Sequence, residues 1–413
     1  MQTVLQNIYQ NATKPVEVIM VGLGFMGFGF LSTNHTNPGL SIPLVITRRP
    51  SQAVEYLKNH GFTAVIESNP DKIKDNAAKS IYSVSDNLDL IADYPNDIIF
   101  EVTGTVAYGT DVALRTAAAG KHLITMNPEL QATVGTQLKA LFDQKNRIIT
   151  DVVGDQPGSL ARLIASAKLK GFKPLLAGNM KRYMDKHATQ AKMQPWADDK
   201  GLAVRQTVSF TDGTKQSIEM TLVANYYGMS MLEAGMRGPR VDKFEQVLNS
   251  FDWNDIPEEG VVDFMIGPTL FPGVFVVAEH HDANQQKYLR YLNMGDGPRY
   301  VLFDSYHLCH LEVSETVGKV AHFNQETINN GNSPTATTIT LAKFDLKAGT
   351  TLDGIGGDTS YGSIRKASTN GDYLPMGVSS GAVLKRDIPQ DAPIRIDDVE
   401  LPVNAATKLL GLV

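Results

Sequence analysis

Through the first third of the chain, short apolar runs alternate with helix-patterned stretches, and this alternation constrains the fold more than any other feature. The run Val16–Val21 stops at Gly22, and Leu44–Ile46 stops at Thr47-Arg48-Arg49. Asp97-Ile98-Ile99-Phe100-Glu101-Val102 stops at Thr103-Gly104. The stretch from His122 to Met126 stops at Asn127-Pro128, and the stretch from Arg147 to Val153 stops at Gly154. Runs without polar alternation suit strands covered on both faces, and the helical stretches at 51–59, 108–119 and 133–144 suit the covering layer. Strands joined by crossover helices imply a doubly wound parallel sheet. The expected fold class is therefore α/β, with a Rossmann-type domain over residues 1–155.

The pattern changes beyond it. Residues 156–333 read as an α+β domain, the usual place for substrate. A helix is expected at 160–170, and strands at 204–210, 216–223, 273–278 and 300–303. Thr211-Asp212-Gly213-Thr214 carries the Asp-Gly signal of a tight hairpin between the first two strands. Residues 323–334, rich in Asn, Gly and Ser, read as a linker. The phrases at 342–350 and 382–388 resemble one another, so 334–413 is expected to be a separate β-rich module with weak internal duplication.

Length and charge narrow the function. A chain of 413 residues with 42% hydrophobic and 20% charged residues has material for more than one core. A formal net charge of −6 argues against a general nucleic-acid binder. The single cysteine, Cys309, excludes an intrachain disulfide and fits a reducing compartment. Neither a signal-peptide pattern nor a membrane-length apolar run is evident, so a cytoplasmic protein without a membrane partner is expected.

Gly22-Leu23-Gly24-Phe25-Met26-Gly27 matches G-x-G-x-x-G directly after an apolar strand and at the start of a helix. In such a loop Gly22 permits the turn, Gly24 admits a pyrophosphate to the backbone, and Gly27 lets helix and strand pack closely. The phosphates meet unpaired N–H groups at a helix N-terminus. Where an NAD enzyme often carries an acidic residue, this chain has Arg48 and Arg49, which suit the 2′-phosphate of NADP(H). Thr103, Gly104, Thr105, Asn127 and Glu129 follow the ends of later strands and are expected to complete the cofactor lining.

Hydride transfer to a carbonyl needs a group that polarises oxygen and supplies a proton. Lys181 and Lys186 lie with Arg182 and His187 after the apolar run Leu175-Leu176-Ala177, and Lys181 is the favoured acid–base group. Asp155, or Asp212 with Glu219, could be a partner. A divalent cation is left open, since no motif supports one. Glu279-His280-His281-Asp282 reads as a solvated turn, because adjacent strand residues face opposite ways.

These segments together resemble the homoserine-dehydrogenase-like oxidoreductases, and more narrowly the 1-deoxy-D-xylulose 5-phosphate reductoisomerase-like (DRL) group. The residues concerned are Gly22 to Gly27, Arg48-Arg49, Val102-Thr103-Gly104, Gly154-Asp155-Gln156-Pro157, Gly235-Met236-Arg237-Gly238-Pro239-Arg240 and Gly260-Val261-Val262-Asp263. The C-terminal part resembles a SAF domain. The resemblance implies an NAD(P)-dependent oxidoreductase acting on a small hydroxy or carbonyl compound such as a sugar phosphate or polyol acid, with or without isomerisation. A homodimer is expected. Two positions depart from the DRL pattern: Gln156 stands where glutamate is usual, and Asn179 replaces the first of two lysines, leaving Lys181. Both departures favour a plain dehydrogenase or a different polyol-type substrate. A homoserine-dehydrogenase-type enzyme and a non-catalytic dinucleotide-sensing scaffold are the alternatives.

Overall fold

The computed structural model describes residues 1–369 and 371–413. The alternating first third forms a sheet of β1 (Val16–Val21), β2 (Leu40–Ser41), β3 (Leu44–Ile46), β4 (Ala64–Ile66), β5 (Tyr82–Ser85), β6 (Ile98–Glu101), β7 (His122–Thr125) and β8 (Ile149–Asp151). The order is β4-β5-β3-β1-β6-β7-β8, with β2 added to β1, and every pairing is parallel. Because β1 lies between β3 and β6, the winding reverses there, and its carboxyl end is a topological switch point. Val18, Met20, Val45, Phe100 and Ile124 share one buried cluster, as uninterrupted apolar strands require.

The chain divides into two compact units. One comprises Met1–Leu130, Gln137–Asp155 and Leu308–Asn329; the other comprises Gln131–Thr136, Gln156–His307 and Asn330–Val413. The late segment of the first unit is built into its core. Val313, Val317 and Val320, on one face of the helix Val313–Phe323, join the sheet's apolar cluster. Val153 N donates to Thr316 Oγ1 at 2.9 Å, Asp151 N to Ile328 O at 2.7 Å, and Thr327 N to Thr150 Oγ1 at 2.8 Å. The expected linker at 323–334 is thus corrected in part. Thr327, Ile328, Asn329 and Asn330 are buried, with Asn329 Nδ2 donating to Ile149 O at 3.3 Å and Asn330 Nδ2 to Thr136 Oγ1 at 3.0 Å.

In the second unit a four-stranded sheet runs in the order β10-β9-β11-β12, from β9 (Lys173–Lys181), β10 (Val261–Ile266), β11 (Val274–Glu279) and β12 (Arg299–Asp304). β9 and β10 are parallel, while β11 runs antiparallel to β9 and β12. The helix Gln156–Leu169 packs across β9, β11 and β12.

The strands expected at 204–210 and 216–223 are helices instead, Val204–Thr211 and Thr214–Tyr227. Their β-branched residues suggested strands. The second helix, however, is buried around nearly its whole circumference, so no amphipathic period marks it. The Asp-Gly pair does turn the chain, with Gly213 left-handed at φ +86°, but between helices.

A hairpin of β13 (Ala336–Ala342) and β14 (Ser360–Lys366) packs on the helix Thr214–Tyr227. The two similar phrases, one between these strands and one beyond them, bond to each other, Leu346 N to Ile388 O and Ile388 N to Leu346 O, both at 2.8 Å. Lys343, fully buried, donates to Ala188 O at 2.8 Å and Gly357 O at 2.7 Å, and its Nζ lies 2.8 Å from Asp212 Oδ2. Burial pushes the Asp212 carboxyl up, and the Lys343 ammonium pulls it back down.

Candidate functional site

Each unit carries its own set of expected residues. In the first, β1 ends in Gly22 at φ +108°, a left-handed conformation natural to glycine. A side chain there would also strike the Val102 carbonyl, since its Cβ would lie 2.8 Å from Val102 O. A Cβ on Gly27 would meet Gly22 O at 2.6 Å. Around Gly24 nothing lies within 4 Å of such a Cβ, so the loop crest is open while its flanks are tightly packed. Gly24 caps the helix Phe25–Asn34, whose first amides are unpaired within the helix and favour an anion. Leu23 and Met26 are half-buried, and Phe25 is exposed.

Arg48 and Arg49 are exposed just beyond β3, and the Arg48 guanidinium sits 5.6 Å from the centre of the Tyr108 ring. At the end of β6, Glu101 organises the next loop. It accepts from Thr103 N at 2.8 Å, from Thr103 Oγ1, from Thr125 Oγ1 at 2.7 Å and from Asn127 Nδ2 at 3.3 Å. Burial pushes its carboxyl up, and these donors pull it down. Asn127 also reaches Thr105 O and caps the helix Pro128–Gln144 through Leu130 N. Thr103, Thr105 and Asn127 are thus tied together beside Gly104, and Glu129 lies in the first turn of the helix. Glu101 was not among the residues expected from the sequence. Its signal was an acidic residue closing an otherwise apolar strand, where burial demands partners.

Gly154 is fixed by close approach, since a Cβ there would lie 2.2 Å from Cys309 O, and Cys309 N donates to Gly154 O at 3.0 Å. Asp155, which follows it, is buried.

In the second unit Asn179 and Lys181 are two residues apart at the end of β9 and share a face of the sheet. Asn179 Nδ2 donates to Gln156 Oε1 and to Glu219 Oε2, both at 2.7 Å. Lys181 Nζ lies 3.5 Å from Gln156 Oε1, and Lys215 Nζ lies 3.9 Å from Glu219 Oε1. The two departures from the DRL pattern are therefore in direct contact, a neutral amide pair where a cation and a carboxylate are usual. Asn179 is fully buried, and its Oδ1 has no hydrogen-bond partner among the described residues. Lys186 stands apart from this cluster, exposed in the turn before His187, whose Nε2 lies 3.0 Å from Asp391 Oδ1.

On β10, buried Asp263 holds the loop at 235–240. Its carboxylate accepts from Gly238 N and Phe264 N at 2.8 Å and from Arg237 N at 3.1 Å. Burial pushes its pKa up to about 6, against the pull of these amides. A carboxyl raised in the folded state binds its proton more tightly there than in the unfolded chain. Its contribution to stability is present at low pH and is lost as pH rises through about 6. Asp263→Asn cannot ionise. Between about pH 4 and pH 7 the stability of the natural chain relative to this variant is expected to fall by about 2 kcal/mol. Urea unfolding of both proteins at the two pH values measures it, and a constant difference would remove Asp263 as the titrating group.

Among the described residues no group of three or more His, Cys, Asp or Glu is placed to hold a metal ion. No helix among them is long and apolar enough to cross a membrane.

Comparison with known proteins bears on the second unit most directly. Residues 154–313 match the family model described as oxidoreductase DRL, catalytic domain, in agreement with the resemblance drawn from the sequence. The homoserine dehydrogenase of Lactococcus lactis is 22% identical over 228 residues, 51% of this chain and 51% of that protein. That of Neisseria gonorrhoeae is 24% identical over 170 residues, 40% of this chain and 36% of that protein. The chain thus spans about half or less of the curated relatives it matches. A homoserine dehydrogenase structure from Thiobacillus denitrificans aligns with a TM-score of 0.42 at 14% identity, covering 92% of this chain and 98% of that one.

Proposed function

We propose, from the premise that residues 154–313 carry an oxidoreductase DRL catalytic domain, that the chain is an NAD(P)-dependent oxidoreductase of a small hydroxy or carbonyl compound. The observation that carries this reading is the glycine loop after β1, closed at Gly22 and Gly27 by backbone packing and open at Gly24. Its residues Gly22 to Gly27 would hold the pyrophosphate, with Thr103, Gly104, Thr105, Asn127 and Glu129 completing the lining. When bound, the nicotinamide dinucleotide supplies or accepts the hydride.

The polar cluster of the second unit supports the substrate class. Lys181 can donate to a carbonyl oxygen, or receive the proton of a hydroxyl, at Nζ. Asn179 Oδ1 is a buried acceptor suited to a neighbouring hydroxyl. With a neutral Asn179–Gln156 pair, the cluster favours a hydroxyl-bearing substrate oxidised or reduced without isomerisation. Homoserine belongs in the same test panel, because the curated relatives are homoserine dehydrogenases. Screening polyol acids, sugar phosphates and homoserine for nicotinamide absorbance change tests the reading. Failure of both NADH and NADPH to bind would overturn it.

NADP(H) is the preferred dinucleotide in this reading, because Arg48 and Arg49 occupy the place of an acidic ribose reader. Arg48→Ala with Arg49→Ala is expected to weaken NADPH selectively, by roughly 1.5–3 kcal/mol for each charge-assisted bond lost. Fluorescence titration with both dinucleotides measures it, and an equal loss for each would assign the arginines no part in selectivity.

A further inference from the structure

The side chains of β9 alternate between its two faces. Asn179 and Lys181 turn toward Gln156, whereas Met180 packs with Val241, Val247 and Leu270 on the other side of the sheet. On that other side, where the parallel strands β9 and β10 end, lies a cavity of about 560 Å³. Arg182 and Arg240 line it, with Asp242, Gln246, Asn249 and Ser250. We infer that this cavity is a second small-molecule site, for a short polyol carrying one anionic group, either phosphate or carboxylate.

The backbone carrying these groups is rigidly held. Ile266 N donates to Pro239 O at 2.9 Å and Val241 N to Ile266 O at 2.8 Å, fixing the chain on both sides of Arg240. Asp263 secures the preceding turn through Arg237 N and Gly238 N. Arg182 Nε donates to Leu270 O at 2.7 Å, which orients the guanidinium and leaves its outer nitrogens for a ligand. Asp242 is held through its carbonyl by Thr269 Oγ1 at 2.6 Å and through its N–H by Gln246 Oε1 at 2.7 Å. Neither Arg182 nor Arg240 has an ion-pair partner among the described residues.

Charge assigns the two ends of the ligand. A pair of guanidinium groups on a fixed backbone recognises phosphate or carboxylate oxygens by charge-assisted bonds. Asp242 would repel the anionic end, so it suits the hydroxyl end, which donates to a carboxylate. Asn249 and Ser250 add neutral polar groups between. The cavity volume falls in the range of ordinary small-molecule pockets.

Isothermal titration of the full chain with glycerol 3-phosphate, D-glycerate, inorganic phosphate and glycerol tests the inference. Glycerol 3-phosphate and D-glycerate are expected to bind, inorganic phosphate to bind more weakly, and glycerol to give no signal. Arg240→Gln should weaken glycerol 3-phosphate by at least about tenfold. Asp242→Asn should narrow its advantage over inorganic phosphate. Lys181→Met, on the opposite face, should leave binding unchanged, and loss of binding there would place the ligand in the other cluster and overturn the inference. Undiminished binding by Arg240→Gln in a variant with native unfolding behaviour, or no heat with any anion, would overturn it too.

Discussion

Lys181→Met is expected to lower turnover roughly 10²–10⁴-fold while leaving dinucleotide affinity unchanged, the loss typical of a positioned acid–base group. Its position at the end of β9 is set by backbone bonding, with Gly267 N donating to Lys181 O at 2.9 Å, and its ammonium sits beside Gln156. The comparison is Lys186→Met, whose lysine is exposed in the following turn and is expected to be close to neutral. Turnover of both variants on whichever substrate the screen returns, with NADPH titrated in parallel, decides the matter. A Lys181→Met enzyme of near-normal rate would move attention to Asp155 and His187.

The largest stability effect is expected away from the chemistry. Lys343→Met would leave the Asp212 carboxylate buried without its cation and would remove the donors to Ala188 O and Gly357 O. Breaking one side of a buried pair costs about 3–5 kcal/mol, a large part of the roughly 5–15 kcal/mol that holds a typical protein folded. Adding Asp212→Asn should recover part of the loss, because a neutral amide can still accept from Thr214 N as Asp212 Oδ1 does at 2.9 Å. Urea unfolding of the single and double variants measures the coupling. A Lys343→Met protein within about 1 kcal/mol of the natural chain would show that the pair merely offsets its own desolvation.

Local rules made the first sheet legible. Uninterrupted apolar runs ending at Gly22, Thr47, Thr103 and Asn127 marked buried parallel strands, and the glycine spacing marked the loop after the first. The phrases at 342–350 and 382–388 pair with each other through Leu346 and Ile388. The sequence did not disclose which helices are buried on all sides. For the helix Thr214–Tyr227, β-branched residues and the Asp212-Gly213 turn outweighed a period that full burial had erased. Contacts distant in sequence were equally hidden. Gln156 and Asn179 looked like separate losses of charge, yet they share a 2.7 Å hydrogen bond, and Glu101 acquires its role only once Thr125 and Asn127 fold beside it. Lys343 lies within the first of these phrases, and only the packed fold shows that it is buried.

The return of residues 308–329 to the first unit sets an order of events during synthesis. When Asp155 has emerged from the ribosome, the sheet still lacks Val313, Val317 and Val320 from its apolar cluster, and Asp151 N and Val153 N still lack the acceptors supplied by Ile328 and Thr316. At roughly 5–20 residues per second, the missing segment arrives roughly ten to thirty-five seconds later. For that interval the first unit's sheet waits with an apolar face uncovered, while the strands and helices that follow it are already free to assemble. The nascent chain therefore offers this apolar face to chaperones until residues 308–329, the last piece of the first unit, close it like a clasp.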